Sequence, residues 1–159
     1  RYDNRALVAE NGTAPANLND WEKKVVEIEM GRQGAAFWYR NPSRPGRDAL
    51  SAVYYDEATG RWRSVQPDFI FFLRDSEGAM RASIVDPHGA YLGDALGKLR
   101  GLARYAGQYG DRFVRIESVS GTDTESLRVL DLKSEAVRAA VAEAVSAEVV
   151  YEKFGYQYK

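Results

Sequence analysis

Two aspartates stand at the edges of apolar runs that read as strands. Asp68 ends Gln66-Pro67-Asp68 and opens onto Phe69-Ile70-Phe71-Phe72, while Asp86 follows Ala82-Ser83-Ile84-Val85 and precedes Pro87-His88-Gly89. Seventeen residues, a turn among them, separate the two. A chain that goes out, turns and returns over that distance makes a hairpin, which can bring both carboxylates to one place. Two carboxylates at a strand end are what a hard divalent cation takes, because Mg²⁺ prefers oxygen ligands and keeps several waters. A carboxylate entering a buried strand must in any case be paired or bound, since bare burial is very costly. The bland alternative for both is a turn or cap residue, and Asp-Pro commonly starts turns.

Other side chains can join this pair. His88 is the single histidine of the chain and falls two residues after Asp86. It could ligate Mn²⁺, donate to a phosphate oxygen, or act as a general base near neutral pH. Lys98, one or two turns into the next helix, could reach back toward Asp86. Its competing role is an exposed i, i+4 pair with Asp94. Glu22 adjoins Trp21, which anchors the first helix, although a solvated acidic face with Glu27 and Glu29 explains it as well. The loop from Arg40 to Arg47 holds Arg40, Arg44 and Arg47 beside Asn41 and Ser43, a set suited to phosphate contact or to an ordinary polar loop. Arg61, Trp62 and Arg63 could extend one basic face.

The elements that position these residues follow from pattern. Asn19 or Asp20 can cap a helix from Trp21 to about Met30. Strands are expected at Ala35–Tyr39, Leu50–Tyr55, Val65–Leu73, Arg81–Val85 and Phe113–Val119, with a short one at Leu127–Leu132. Helical spacing of Leu92, Leu96, Leu99, Leu102, Ala103 and Ala106 predicts a helix from Tyr91 to about Tyr109, with Tyr105 packing. Ser134 to about Val150 predicts a second long amphipathic helix. Tyr151 to Lys159 carries no clear period. The order is α/β with a mixed sheet flanked by helices.

Composition bounds the rest. At 159 residues the chain fits one domain over residues 19–159, with 1–18 as a linker or tail. Net charge is -1 and the pI about 5.9, so any nucleic-acid contact needs a local patch. The absence of cysteine excludes disulfides and thiolate metal sites and suits a reducing, cytoplasmic setting. No apolar run approaches the roughly 18 residues of a membrane span. The chain starts at Arg1 without a signal-peptide pattern, and we read it as a piece of a longer protein. No Walker-type phosphate loop and no Gly-x-Ser-x-Gly elbow is present.

The ordered combination of a helix with a glutamate, a hairpin, Pro-Asp on a strand, a second acidic strand end and a helix resembles the PD-(D/E)XK nuclease superfamily. Trp38-Tyr39-Arg40-Asn41-Pro42, Gln66-Pro67-Asp68-Phe69-Ile70 and the acidic strand end ahead of Gly89 are most similar to the C-terminal nuclease domain of type III restriction subunits and related superfamily 2 helicases. The similarity covers about Asn19 to Val119. It implies a restriction-endonuclease-like fold and a metal-dependent DNA nuclease joined to a helicase motor in the same parent chain. In such enzymes two acids bind Mg²⁺ or Mn²⁺ and a lysine orients the attacking water. Carried over, Asp68 and Asp86 are the metal ligands and Glu22 the helix acid. His88 stands at the lysine position and departs from the pattern, with Lys98 as the substitute ammonium. A nuclease-like module without chemistry that binds DNA or docks a protein is the second expectation. A protein-interaction domain with no nucleic-acid role is the third.

Overall fold

The computed structural model describes residues 17–42, 44 and 46–159; residues 1–16 of the tail expected over 1–18, and the loop residues Ser43 and Pro45, lie outside the described residues. The elements run α1 (Asp20–Met30), β1 (Ala35–Arg40), β2 (Ala52–Asp56), β3 (Arg61–Val65), β4 (Phe69–Arg74), β5 (Met80–Pro87), α2 (Ala95–Tyr109), β6 (Ile116–Ser120), β7 (Arg128–Asp131), α3 (Glu135–Glu143), α4 (Ala147–Phe154) and β8 (Tyr156–Gln157). Six strands form one sheet in the order β1-β4-β5-β6-β7-β8, while β2 and β3 make a separate two-stranded sheet. The pairing is antiparallel throughout except β5 against β6, which is parallel because α2 crosses over between them. The expectation of an α/β fold with a mixed, helix-flanked sheet holds.

Strand alternation divides the core into two. Phe69, Phe71, Val85, Val119 and Val129 face one side with Trp38 and with Val25 of α1. Ile70, Ile84, Ile116 and Leu130 face the other, against Leu99 and Leu102 of α2, Val141 of α3 and Val150 of α4. Leu18 already packs in the first of these layers, so the folded region begins no later than that residue.

The β4–β5 hairpin sets the site. Its turn closes on Asp75, whose carboxylate accepts the Glu77 and Ala79 amides at 3.0 and 2.8 Å. Gly78 supplies the positive φ of 82° that this turn needs. The resulting register pairs Phe69 with Val85, so Asp68 lies one step further on, opposite Asp86.

Three expected elements differ, and β3 was not expected. The strand over Val65–Leu73 is two pieces, because Pro67 has no N–H for a ladder and the chain changes sheets at Gln66-Pro67-Asp68. The stretch Arg61–Val65 returns against β2 in spite of its polar sequence. The helix expected from Tyr91 starts at Ala95, after turns around Gly93. The helix expected over Ser134–Val150 breaks at Ala144, where the Arg100 guanidinium takes the Ala144 carbonyl at 2.8 Å and Ser146 caps α4. Among the described residues, no helix is long and apolar enough to cross a membrane.

Candidate functional site

Asp68, at the entry to β4, and Asp86, near the end of β5, converge on one ammonium. Lys98 Nζ is 2.8 Å from Asp86 Oδ1 and 3.5 Å from Asp68 Oδ2. The hairpin register supplies the two carboxylates and the first turn of α2 supplies the lysine. Asp68 also donates its backbone N–H to Asp86 Oδ1 at 2.8 Å. Asp86 lies on the same strand face as Ile84, beneath α2, and is completely buried. Its second oxygen, Oδ2, is buried and has no hydrogen-bond partner among the described residues. An unpartnered buried carboxylate oxygen is costly, and a native site that keeps one needs a reason.

The electrostatics follow from this geometry. Burial pushes the Asp86 carboxyl above the ordinary range; Lys98 opposes the shift and the Asp68 charge adds to it. Burial works against the Lys98 ammonium, but Asp86 and Asp68 outweigh it and hold its pKa above the ordinary value. Lys98 therefore stays charged at neutral pH. Behind Asp86, the Ser118 hydroxyl lies 3.4 Å from the Asp86 carbonyl and accepts from the buried Tyr151 hydroxyl at 2.8 Å.

Glu22 joins the cluster through Arg40. Arg40 Nη2 is 2.6 Å from Glu22 Oε1, and Nη1 is 3.3 Å from Asp68 Oδ1. The other Glu22 oxygen accepts the Asn19 amide at 2.9 Å, while the Asn19 side chain accepts the Glu22 amide, a reciprocal capping box. Both Glu22 oxygens are thus occupied, one in holding the helix start and one in anchoring Arg40. The guanidinium of Arg40 further covers the Phe69 ring at 5.1 Å.

Two open grooves meet at Asp68 and His88. One, of about 700 Å³, is walled by Arg63, Ser64 and Gln66 on one side and Gly97 and Lys98 on the other. The second, of about 670 Å³, runs along Trp21, Glu22, Arg40 and Tyr91. His88 lines both, yet its Nε2 pairs with the exposed Asp94 at 3.2 Å and not with either buried aspartate. Lys98, not His88, stands between the carboxylates. Arg44 and Arg47 are exposed and line neither groove, so of the three loop arginines only Arg40 reaches the site. Among the described residues, no three His, Cys, Asp or Glu side chains gather closely enough to hold a metal by themselves.

Asn41, which the sequence groups with the polar donors of the arginine loop, is buried and structural instead. This buried side chain accepts the Leu50 amide at 2.8 Å and donates to the Leu50 and Pro67 carbonyls at 2.7 and 2.8 Å. It ties the arginine loop to the entry of β4 and so fixes the backbone of Asp68. Its signal was present in Arg40-Asn41-Pro42: an amide at the end of a strand and ahead of a loop. Sequence reasoning overlooked a second ionic cluster, in which Arg115 bridges Glu29 and Glu117 and Tyr158 donates to Glu29 at 2.6 Å.

An α/β domain with a lysine-bridged aspartate pair at a groove is the class that this fold and site define. The chain belongs to the YagJ family, whose model matches residues 4–159. It is 46% identical over 150 residues to Protein YagJ of Escherichia coli (strain K12), an alignment covering 94% of this chain and 60% of that relative. The chain therefore spans about three-fifths of the length of the curated relative. No solved structure matches it.

Proposed function

We propose that this chain is a metal-dependent nuclease domain that hydrolyses phosphodiester bonds in DNA. The observation that carries the reading is the meeting of Lys98 with both Asp68 and Asp86 at the edge of an open groove. The strand order supports it: β1, β4 and β5 form an antiparallel unit, α2 crosses over, and β6 adds in parallel, the arrangement that the PD-(D/E)XK resemblance needs.

The residues fit a hard cation. All donors here are carboxylate oxygens, and the Asp86 Oδ2 oxygen is buried without a partner among the described residues. Asp68 and Asp86 would hold Mg²⁺ or Mn²⁺, with water and phosphate oxygens filling the remaining positions. Bound there, the ion would neutralise charge on the phosphate and lower the pKa of a water. Lys98, kept charged by its two carboxylates, orients that water or a phosphate oxygen. Arg40 holds Asp68 in place, and Glu22 holds Arg40. His88 lines the groove from its pair with Asp94 and is placed to donate to a phosphate. The attachment of a helicase motor in the parent protein rests on the resemblance alone.

A second reading has its own observation. Each aspartate already carries a cationic partner, Lys98 for both and Arg40 for Asp68. A site neutralised in this way suits a domain that has lost chemistry and binds DNA or docks a protein. Calorimetric titration with Mn²⁺, followed by cleavage assays on single- and double-stranded DNA, separates the two. The nuclease reading expects Mn²⁺ binding that Asp86→Asn abolishes, and cleavage that falls by at least about 100-fold in Lys98→Ala. Absence of both metal binding and cleavage in the wild type overturns it in favour of the binding module.

A further inference from the structure

The β2–β3 hairpin stands apart from the main sheet and rests on α2. Its inner face is built for that seat. Tyr54 packs against Gly101, where an added Cβ would meet the ring at 3.3 Å. The buried Asp56 pairs with Arg104, and the Gln108 amide group spans both backbone groups of Tyr55 at 3.0 Å. The outer face has no such partner. Trp62 is 63% exposed and Tyr55 39%, and their rings meet edge to face with centroids 5.5 Å apart. Two large, exposed aromatic side chains, on a hairpin that three polar contacts hold against α2, form a platform that no other described residue covers.

The surroundings of this platform are basic. Arg61 and Arg63 neighbour Trp62 along β3 and are exposed, but strand alternation turns both toward the opposite face, where Arg63 pairs with Asp56 at 3.3 Å. On one side, Tyr55 borders a groove of about 460 Å³ that also holds Arg100, Arg104 and Arg138. On the other, Arg63 borders the groove that leads to Asp68 and Lys98. Both grooves are walled by the hairpin and α2; Tyr55 lines the first, and Trp62 stands on the outer face beside it.

We propose that the β2–β3 hairpin is a binding arm for single-stranded nucleic acid, with bases stacking on Trp62 and Tyr55 and phosphates meeting Arg61 and the basic groove that Tyr55 borders. The proposal rests on the nuclease reading for its setting and names the substrate class. An exposed aromatic platform favours unpaired bases, because a duplex already stacks its own bases and offers the protein only backbone and groove edges. Arg61 and the arginines of the groove beside Tyr55 match a phosphate backbone.

The test is fluorescence anisotropy with the full-length protein and a labelled oligo-dT of twelve nucleotides, against a blunt duplex of equal length. It is run in EDTA so that neither metal nor cleavage enters. The single strand should bind more tightly than the duplex. Trp62→Ala should weaken single-strand binding about tenfold or more and leave duplex binding unchanged, whereas Trp62→Phe should retain most of it. Arg61→Ala should make the log K against log salt line shallower by about 0.7. The substituted side chains are exposed, and an unchanged melting temperature checks that the fold is intact. Failure of the wild type to bind the single strand, or a Trp62→Ala variant that weakens both ligands equally or neither, overturns the proposal. Trp62-dependent binding without any cleavage in Mn²⁺ would sink the nuclease reading alone; cleavage without Trp62-dependent binding would sink this inference alone.

Discussion

Two buried ionic clusters flank the sheet, and they are built to opposite standards. On the α1 face, Glu29 is saturated. Its Oε1 takes Arg32 at 3.0 Å, Arg115 at 3.0 Å and the Tyr158 hydroxyl at 2.6 Å, while Oε2 takes the second arm of Arg115. Arg115 also reaches Glu117 at 2.7 Å. On the α2 face, Asp86 holds Lys98 and the Asp68 amide on one oxygen and no described residue on the other. Burial penalises the charge of both carboxylates. At Glu29, Arg115, Tyr158 and Arg32 outweigh that penalty and hold the carboxyl below its ordinary value. At Asp86 they do not, and its pKa is raised. The planar guanidinium of Arg115 meets a carboxylate with two parallel bonds, whereas an ammonium is a point donor. The first cluster clamps α1 and the C-terminal strand to the sheet; the second leaves an oxygen in reserve beside a groove.

The sharpest break of this contrast is Glu29→Gln. Removing the Glu29 charge leaves the buried Arg115 with Glu117 in place of two carboxylates and sets an amide NH2 among donors, and the expected loss is about 3 kcal/mol in denaturant unfolding. Asp86→Asn should cost less than about 1 kcal/mol, since the amide oxygen can still accept from Lys98 and the charge penalty vanishes. Equal losses for the two variants would dissolve the distinction between a clamp and a poised site.

Metal should separate the clusters next. If Asp86 holds a cation, Mn²⁺ at about 100 times its dissociation constant raises stability by about 2.7 kcal/mol. The resulting rise in melting temperature should survive in Arg115→Lys and vanish in Asp86→Asn. A rise that persists in Asp86→Asn would move the cation elsewhere.

Acid gives a smaller difference with opposite signs. Glu29 is depressed, so its contribution is present above about pH 4.3 and is lost as pH falls through its lower folded value. Asp86 is raised, so keeping it ionised costs stability at neutral pH, and that cost is relieved as pH falls through its folded value toward about 3.9. Glu117, also raised by burial, acts with the sign of Asp86. Melting temperatures from pH 3 to 8 should show Glu29→Gln losing part of the acid lability below about pH 4, and Asp86→Asn losing part of the relief above it.

The smallest effect concerns the groove rim. His88→Ala breaks only a pair with the exposed Asp94, so stability should change by less than about 1 kcal/mol. A larger loss would mean that His88 holds the backbone between β5 and α2, rather than serving the groove.

The sequence by itself determined the hairpin and the meeting of its two aspartates. Seventeen residues between Asp68 and Asp86, with an Asp75-to-Gly78 turn in the middle, leave one register in which both apolar faces are buried, and that register sets the aspartates opposite each other. A cap for α1 at Asn19 or Asp20 was equally legible, because a cap depends on its own neighbours, and the structure uses Asn19. Local pattern also gave α2 its face, and with it the possibility that Lys98 reaches back.

Tertiary structure decided the rest. Whether Lys98 pairs with Asp94 or with the buried aspartates depends on where α2 lands on the sheet, which helical spacing does not encode. Glu22 and Arg40 look like a surface acid and a loop cation in sequence; they become one chain of contacts because α1 packs beside the end of β1. The α3–α4 break needs Arg100 from another helix, and the polar β3 strand needs β2 and α2. Glu29, Arg115 and Tyr158 lie up to 129 positions apart. Each of these outcomes is a long-range pairing whose energy appears only once the layers close, so no local propensity announces it.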